Sequence, residues 1–419
     1  MFQGADGQSA ILTFALLTSL FLLWGFCSGL IDILNKHFQD SLHISKAQSG
    51  LVQFSYCLAY FLMAIPAGLL ARTCGYKRGL LAGLGLFAGG AGWFIPATQI
   101  GTYWAFLSGV FLVASGMTFL ETIANPYITL LGAAESGATR INIAQTFNGL
   151  GRMLGPIVGG QFLFNGGLTG RADSRLYLPY LGVGLVAAGL LGLFSLIRLP
   201  DLRAEEGGAV ERAGKGRKSL WRRSHFTLGV AAQFFYLAAQ TGIFSFFVNY
   251  VLENDPGVTN RQAATWLGAF GFGLFLFGRL CGSAVMGRSK PHRVLGVCAM
   301  VNAVLTAVVL GGGKPGLYAL FGTFFFMSVM FPTIFALAIR GLGEHTRLGA
   351  SLVVMAMVGG GIAPLVMGRI ADGYSMRAGF AVPLGCFIMI ALYGMGWPRL
   401  AAGDSVAGTP PVVIIKPNR

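Results

Sequence analysis

Residues 103–131 read YWAFLSGVFLVASGMTFLETIANPYITLL, an apolar run interrupted by one carboxylate, Glu121. Such a run is long enough for a helix of about 20 residues, the length that crosses a bilayer. On the lipid-facing side of that helix an ionised side chain costs roughly 3 kcal/mol or more, so Glu121 is expected to face a cavity or a partner. A carboxylate held at that depth is the natural candidate for a group that takes up and releases a proton.

The rest of the chain follows the same pattern. Of 419 residues, 54% are hydrophobic and only 11% charged, with a mean hydropathy of +0.68; soluble domains carry about a quarter charged residues. The apolar sequence falls into windows of spanning length, giving an all-α polytopic membrane protein with twelve transmembrane helices. The spans run roughly 11–36, 47–70, 78–98, 102–131, 138–165, 177–199, 225–252, 263–287, 292–312, 316–340, 348–372 and 379–398. A long polar stretch separates the sixth from the seventh. The domain reading is therefore an N-terminal six-helix bundle (1–199), a basic linker (200–224), a C-terminal six-helix bundle (225–398) and a disordered tail (399–419). Met1 to Ala10 lacks the basic–apolar–cleavage pattern of a removable signal, so the first span is expected to direct insertion.

Charge sets the orientation. Arg72, Lys77, Arg78, Arg140, the linker cluster from Arg203 to Arg223, Arg288, Lys290, Arg293, Arg340 and Arg347 fall on one side of the twelve-span arrangement, with only a scatter opposite. By the positive-inside rule both termini and the linker are cytoplasmic. This asymmetry accounts for most of the formal net charge of +15, and no binding motif accompanies it, so no nucleic-acid partner is expected. Six cysteines (Cys27, Cys57, Cys74, Cys281, Cys298 and Cys386) show no paired ligand spacing, which argues against a disulfide framework or a metal site.

The halves read as copies. Pro126-Tyr-Ile-Thr-Leu-Leu-Gly132 in span four resembles Pro332-Thr-Ile-Phe-Ala-Leu337 in span ten, and Gly155-Pro-Ile-Val-Gly-Gly160 in span five resembles Ala363-Pro-Leu-Val-Met-Gly368 in span eleven, at a nearly constant offset. Two six-helix repeats suggest a transporter with its substrate near mid-membrane between them. Gly25/Gly29, Gly79/Gly83, Gly151/Gly155 and Gly278/Gly282 each place small residues one turn apart, where helices can approach closely.

Once charges at the loops and span ends are set aside, Asp32, Glu121, Arg152 and Arg279 remain. Asp32 reads either as an interfacial carboxylate or as a functional one; Arg279 reads as structural, its stem buried and its head snorkelling. Arg152, near the middle of span five, calls for a carboxylate partner, and Glu121 on the neighbouring span is the expected one. No histidine lies in a span core, which disfavours a histidine proton relay. Gln145 and Asn148 share a face of span five with Asn142 nearby, while Gln233, Tyr236 and Gln240 form a stripe on span seven, which also carries Asn249. Amides bond hydroxyls in pairs and aromatic faces (Phe21, Trp24, Tyr236, Phe331) pack on C–H faces, so these residues suit a sugar; interhelical hydrogen bonding is the competing structural role.

Several motifs together resemble the fucose–hexose–proton symporter family of the major facilitator superfamily. They are Phe21-Leu-Leu-Trp24 with Asp32, Leu120-Glu-Thr-Ile-Ala-Asn-Pro126, Asn142-Ile-Ala-Gln-Thr-Phe-Asn148, Ala232-Gln-Phe-Phe-Tyr236 with Gln240, Phe331-Pro-Thr-Ile-Phe335, and Gly359-Gly-Gly361 with Pro364. Within it the chain looks like the fucose-transporting members, because glucose/galactose members tend to carry Gln where Glu121 stands. The resemblance implies that Glu121 is the protonation site, that Asp32 links substrate to coupling, and that Gln145 and Asn148 line the sugar cavity. It implies no cofactor beyond protons, a small sugar substrate, a bacterial inner-membrane location and function as a monomer. Two residues depart from the pattern: Arg72 stands where an acidic residue is usual in the loop after span two, and Arg152 is unexpected at its position.

The expected function is proton-coupled symport of L-fucose or a related monosaccharide. Alternatives are a proton-coupled exporter of amphipathic compounds and a sugar facilitator whose coupling Arg152 alters. An enzyme is disfavoured, since Gly-x-Ser-x-Gly, His-Glu-x-x-His and phosphate-loop motifs do not occur.

Overall fold

The computed structural model describes residues 11–131, 137–164, 177–197, 220–286, 289–342 and 346–403. Most of the basic linker and the tail beyond 403 lie outside the described residues, as do Arg171, Arg175 and Arg288. The helices are α1 (Ile11–Leu42), α2 (Lys46–Ala71), α3 (Tyr76–Ile100), α4 (Tyr103–Ile128), α5 (Gly137–Leu163), α6 (Tyr177–Leu196), α7 (Ser224–Asn254), α8 (Asn260–Gly282), α9 (Pro291–Gly311), α10 (Gly313–Ala338), α11 (Gly349–Gly373) and α12 (Met376–Ala402). Eleven of them are long and apolar enough to cross a membrane. The remaining one, α5, is equally long but carries Arg140, Asn142, Gln145, Asn148 and Arg152. Polarity on a helix walled in by neighbours marks it as cavity-lining rather than lipid-facing.

Glycine decides which helices touch. A Cβ on Gly25 would meet the Asn148 carbonyl, and one on Gly29 the Arg152 carbonyl; one on Gly151 would meet Leu22, and one on Gly155 Phe26. The two glycine pairs therefore interlock, and α1 lies against α5 backbone to backbone. Gly79 and Gly83 accept Ile123 and Phe119 where α3 crosses α4, and Gly278 and Gly282 accept Phe325 and Val329 where α8 crosses α10. The tight turn from α2 to α3 passes through Gly75 at φ +86°, and Lys77 just beyond it donates to the carbonyls of Ser195 and Ile197, both at 2.8 Å. That cation caps the negative end of α6.

Three helices are less regular than their hydropathy suggests. Span eight contains a π-helical stretch, Leu267–Phe272. Span ten divides into Gly313–Met327 and Met330–Ala338, and span eleven into Thr346–Met355 and Val358–Gly373. Interrupted helices at mid-depth are found where a substrate site lies between repeats.

The two halves meet through α2 with α11, α5 with α8, and α1 with α7. Polar contacts joining them cluster at the end of the bundle far from Ile11 and Gly403. There Asp372 accepts the backbone N–H groups of Lys46 and Ala47, both at 2.9 Å. Asn249 donates to Gln39 at 2.5 Å, and Asn260 to Asp40 at 2.6 Å. Below them α2 and α11 are pressed together through Gly50, Gly361 and Gly368. The far end is closed.

Candidate functional site

Because α1 and α5 touch through interlocked glycines, the side chains flanking that seam must project to its edges. Asp32 and Arg152 do so on the same edge. Arg152 Nη2 donates to Asp32 Oδ2 at 3.0 Å, with Asp32 4% exposed and the arginine side chain 29% exposed. Gln53 from α2 faces the other Asp32 oxygen at 3.5 Å. The arginine's carboxylate is thus Asp32 and not the expected Glu121, which lies within electrostatic reach only. The glycine seam is the reason: it fixes α1, not α4, as the helix against which α5 is flush.

The guanidinium also crosses to the other half. Its carbon lies 4.9 Å from the centre of the Phe244 ring on α7 and 5.1 Å from that of Phe272, the last residue of the π stretch in α8. A cation over two aromatic faces is held by their quadrupoles. Its Nε is buried with no hydrogen-bond partner.

Glu121, on α4, is half-buried, and its Oε2 is buried without a hydrogen-bond partner. Tyr56 and Tyr60 of α2 lie beside it, their rings 4.8 Å apart, and the Tyr60 hydroxyl is likewise buried and unpartnered. Gln53, Tyr56 and Tyr60 are functional candidates that sequence reading passed over. Their spacing of three and four residues on one helical face was the available signal.

The amides divide into two groups. Gln145 bonds Asn125 of α4 at 3.3 Å, and Asn148 donates to the Phe21 carbonyl of α1 at 3.2 Å; both side chains remain partly exposed toward the interior. Trp24 packs its ring 5.8 Å from Phe21 on the same face of α1. On α7, Gln240 donates to the Tyr236 hydroxyl at 2.8 Å, and that hydroxyl donates to the Met327 carbonyl at 3.1 Å, where the helix of span ten breaks. Gln233 is fully buried with both amide atoms unpartnered. Asn249 stands apart from the others, at the far-end contact with Gln39.

Arg152, paired with Asp32 of α1, therefore reaches from the α1–α5 seam to Phe244 and Phe272 of the other half, while Asn249 belongs to the far-end contact with Gln39. A separate cavity of about 620 Å³, lined by Gly278, Cys281, Val297, Phe325 and Val329 with Lys290 and Arg293 at its mouth, lies among α8, α9 and α10. Among the described residues no cluster of His, Cys, Asp and Glu has metal-binding geometry.

Comparison with known proteins bears on what this arrangement does. The Major Facilitator Superfamily model matches residues 10–364. The glucose/galactose transporter of Brucella abortus is 36% identical over 386 residues, covering 90% of this chain and 92% of the relative. The L-fucose-proton symporter of Escherichia coli is 35% identical over 414 residues, covering 93% and 94%. Among solved structures, the E. coli fucose:proton symporter in its outward conformation superposes with a TM-score of 0.68 at 34% identity, covering 93% of this chain and 99% of that one. The D-xylose-proton symporter superposes with a TM-score of 0.77 at 13% identity, covering 94% and 98%, a likeness of fold.

Proposed function

The chain belongs to the fucose–hexose–proton symporter family of the major facilitator superfamily, and on that basis we propose that it couples inward movement of a proton to uptake of a monosaccharide, L-fucose or a related sugar, by alternating access. It is a carrier and not an enzyme. It works as a monomer in a bacterial inner membrane with both termini cytoplasmic, and needs no cofactor besides the proton.

One observation carries this reading: a carboxylate at mid-depth, Glu121, with a buried oxygen left unpartnered beside two tyrosines. An ionised carboxylate in that setting is costly, and protonation removes the cost. Proton binding therefore changes which conformations the carrier visits, and the sugar, bonded by Gln145 and Asn148 with Trp24, Tyr236 and Gln240 on the facing surfaces, travels with it. Asp32 holds Arg152 in place against Phe244 and Phe272 of the other half.

The test is sugar-induced alkalinisation of the medium by cells or proteoliposomes, across a panel beginning with L-fucose and D-galactose. Glu121→Gln is expected to abolish accumulation driven by a pH gradient while retaining sugar counterflow. Full pH-dependent accumulation by that variant overturns the assignment of Glu121.

A further inference from the structure

The C-terminal half carries a groove that has no part in the sugar site. Helices α8 and α9 each pack on α10, and the space they leave between them is the cavity of about 620 Å³. Phe325, Phe326 and Val329 of α10 line it, with Cys281 and Val285 from α8 and Val297 from α9. Glycine gives it depth. Gly278 and Gly282 bring α8 so close to α10 that a Cβ on either would collide with Phe325 or Val329, and they place no side chain in the space beside them. Val285 and Val297 are exposed, so the groove opens outward, where spanning helices meet hydrocarbon. An unfilled apolar groove forfeits dispersion contacts and offers water no polar partners, so its natural filling is another apolar chain.

One end of the groove is different. Ser289, Lys290 and Arg293 stand at its mouth, between the end of α8 and the first turn of α9. Both cations are exposed, and among the described residues neither has an ion-pair partner. The sequence explains why: no Asp or Glu occurs between Asp255 and Glu344, a stretch that contains all of α8, α9 and α10. The N-terminal end of the α9 dipole adds to the positive potential at the same place. The mouth is a cationic site with no acidic neighbour on the three helices that form it.

An apolar trough ending in two cations at the membrane surface matches an anion carried on a hydrocarbon chain. We propose that this groove binds an anionic phospholipid, with one acyl chain along Phe325, Phe326 and Val329 and the phosphate at Lys290 and Arg293. A zwitterionic phospholipid brings the same chain, but its ammonium group opposes the two cations. Free phosphate brings the charge without the chain. Val329 directly follows the interruption of span ten at Ser328, so the bound chain braces from outside the joint whose Met327 carbonyl Tyr236 holds from inside.

The experiment is native mass spectrometry of the full chain, stripped of lipid in detergent and titrated with phosphatidylglycerol or phosphatidylcholine of identical acyl chains. One phosphatidylglycerol is expected to bind about fivefold more tightly than phosphatidylcholine, or better, the worth of a cation beside an anionic head group. Lys290→Gln combined with Arg293→Gln should erase that preference. Val297→Trp, which fills the groove, should weaken both lipids alike, and Arg399→Gln, a basic position outside the groove, should leave the preference intact. Equal affinity for the two lipids in the wild-type protein overturns the inference. So does a preference that survives the double substitution, which assigns it to the positive surface at large. Displacement of the lipid by an equal concentration of inorganic phosphate also overturns it, because the chain then contributes nothing. Should the double variant not fold, Lys290→Gln and Arg293→Gln taken singly are each expected to reduce the preference. No sugar enters these measurements, so the symport reading stands or falls separately.

Discussion

Arg152 meets Asp32 because of two pairs of glycines, and this shows how far single residues could be read from sequence. Glu121 was legible, since a carboxylate inside an apolar run has few places to go. The four ionisable residues and the two amide stripes were legible for the same reason. The partner of Arg152 was not, because two carboxylates were available and choosing between them requires knowing which helix lies flush with α5. That information was present in Gly25, Gly29, Gly151 and Gly155, whose interlocking the structure displays. A prediction follows at this scale: Asp32→Asn removes the counter-charge of a partly buried guanidinium. Breaking a fully buried pair costs about 3–5 kcal/mol; the exposure of Arg152 puts this case below that range, and the variant should unfold at a lower temperature in detergent. The double change Asp32→Asn, Arg152→Gln should recover much of the loss. A double variant no more stable than the single would show that the pair contributes nothing beyond its members.

At the scale of the helix, the seams and the breaks behave differently. Gly151 lies against Leu22 and Phe26 backbone atoms, so Gly151→Leu forces α1 away from α5. Overpacking of this kind costs about 1–3 kcal/mol and should lower the thermal midpoint. Gly85 has nothing within 4 Å of the added carbon, and Gly85→Ala should gain about 0.5–1 kcal/mol from the stiffer helix. Equal effects of the two substitutions would contradict the seam. Span ten breaks at Ser328, and the Tyr236 hydroxyl takes up the Met327 carbonyl. Tyr236→Phe leaves that carbonyl and the Gln240 amide short of a partner, a loss of about 1–3 kcal/mol, visible as a lower midpoint and weaker sugar binding. Hydropathy located spans eight, ten and eleven but gave no sign of the π stretch or the two interruptions. A window of apolar residues has the same mean hydropathy whether its hydrogen bonds run to the fourth residue or the fifth.

For the whole molecule, the repeat pattern and charge asymmetry conveyed the two-half architecture, yet nothing local foretold which end would be shut. Closure depends on residues hundreds of positions apart, such as Asp372 with Lys46 and Ala47. A carboxylate receiving two N–H groups at the start of α2 is also favoured by the helix dipole. Asp372→Asn should release about 1 kcal/mol of that preference, roughly a fivefold shift toward the open far end. Spin labels at His43 and Val258 would report it as an increased population of long distances; an unchanged distribution would exclude a role for Asp372 in closure.

Glycines that join α1 to α5 form a permanent weld, whereas Gly50, Gly361 and Gly368 between α2 and α11 form a seal that must part and re-form in every cycle. The same device therefore exposes the cell to two different hazards. A bulky residue in the weld yields a protein that fails to assemble and is degraded, harming only its own supply. A bulky residue in the seal yields a protein that assembles, inserts and then leaks, dissipating the proton gradient on which every other carrier in that membrane depends. Selection against the second kind of change acts on the physiology of the whole cell, and a toxic, well-expressed variant is how it would be recognised.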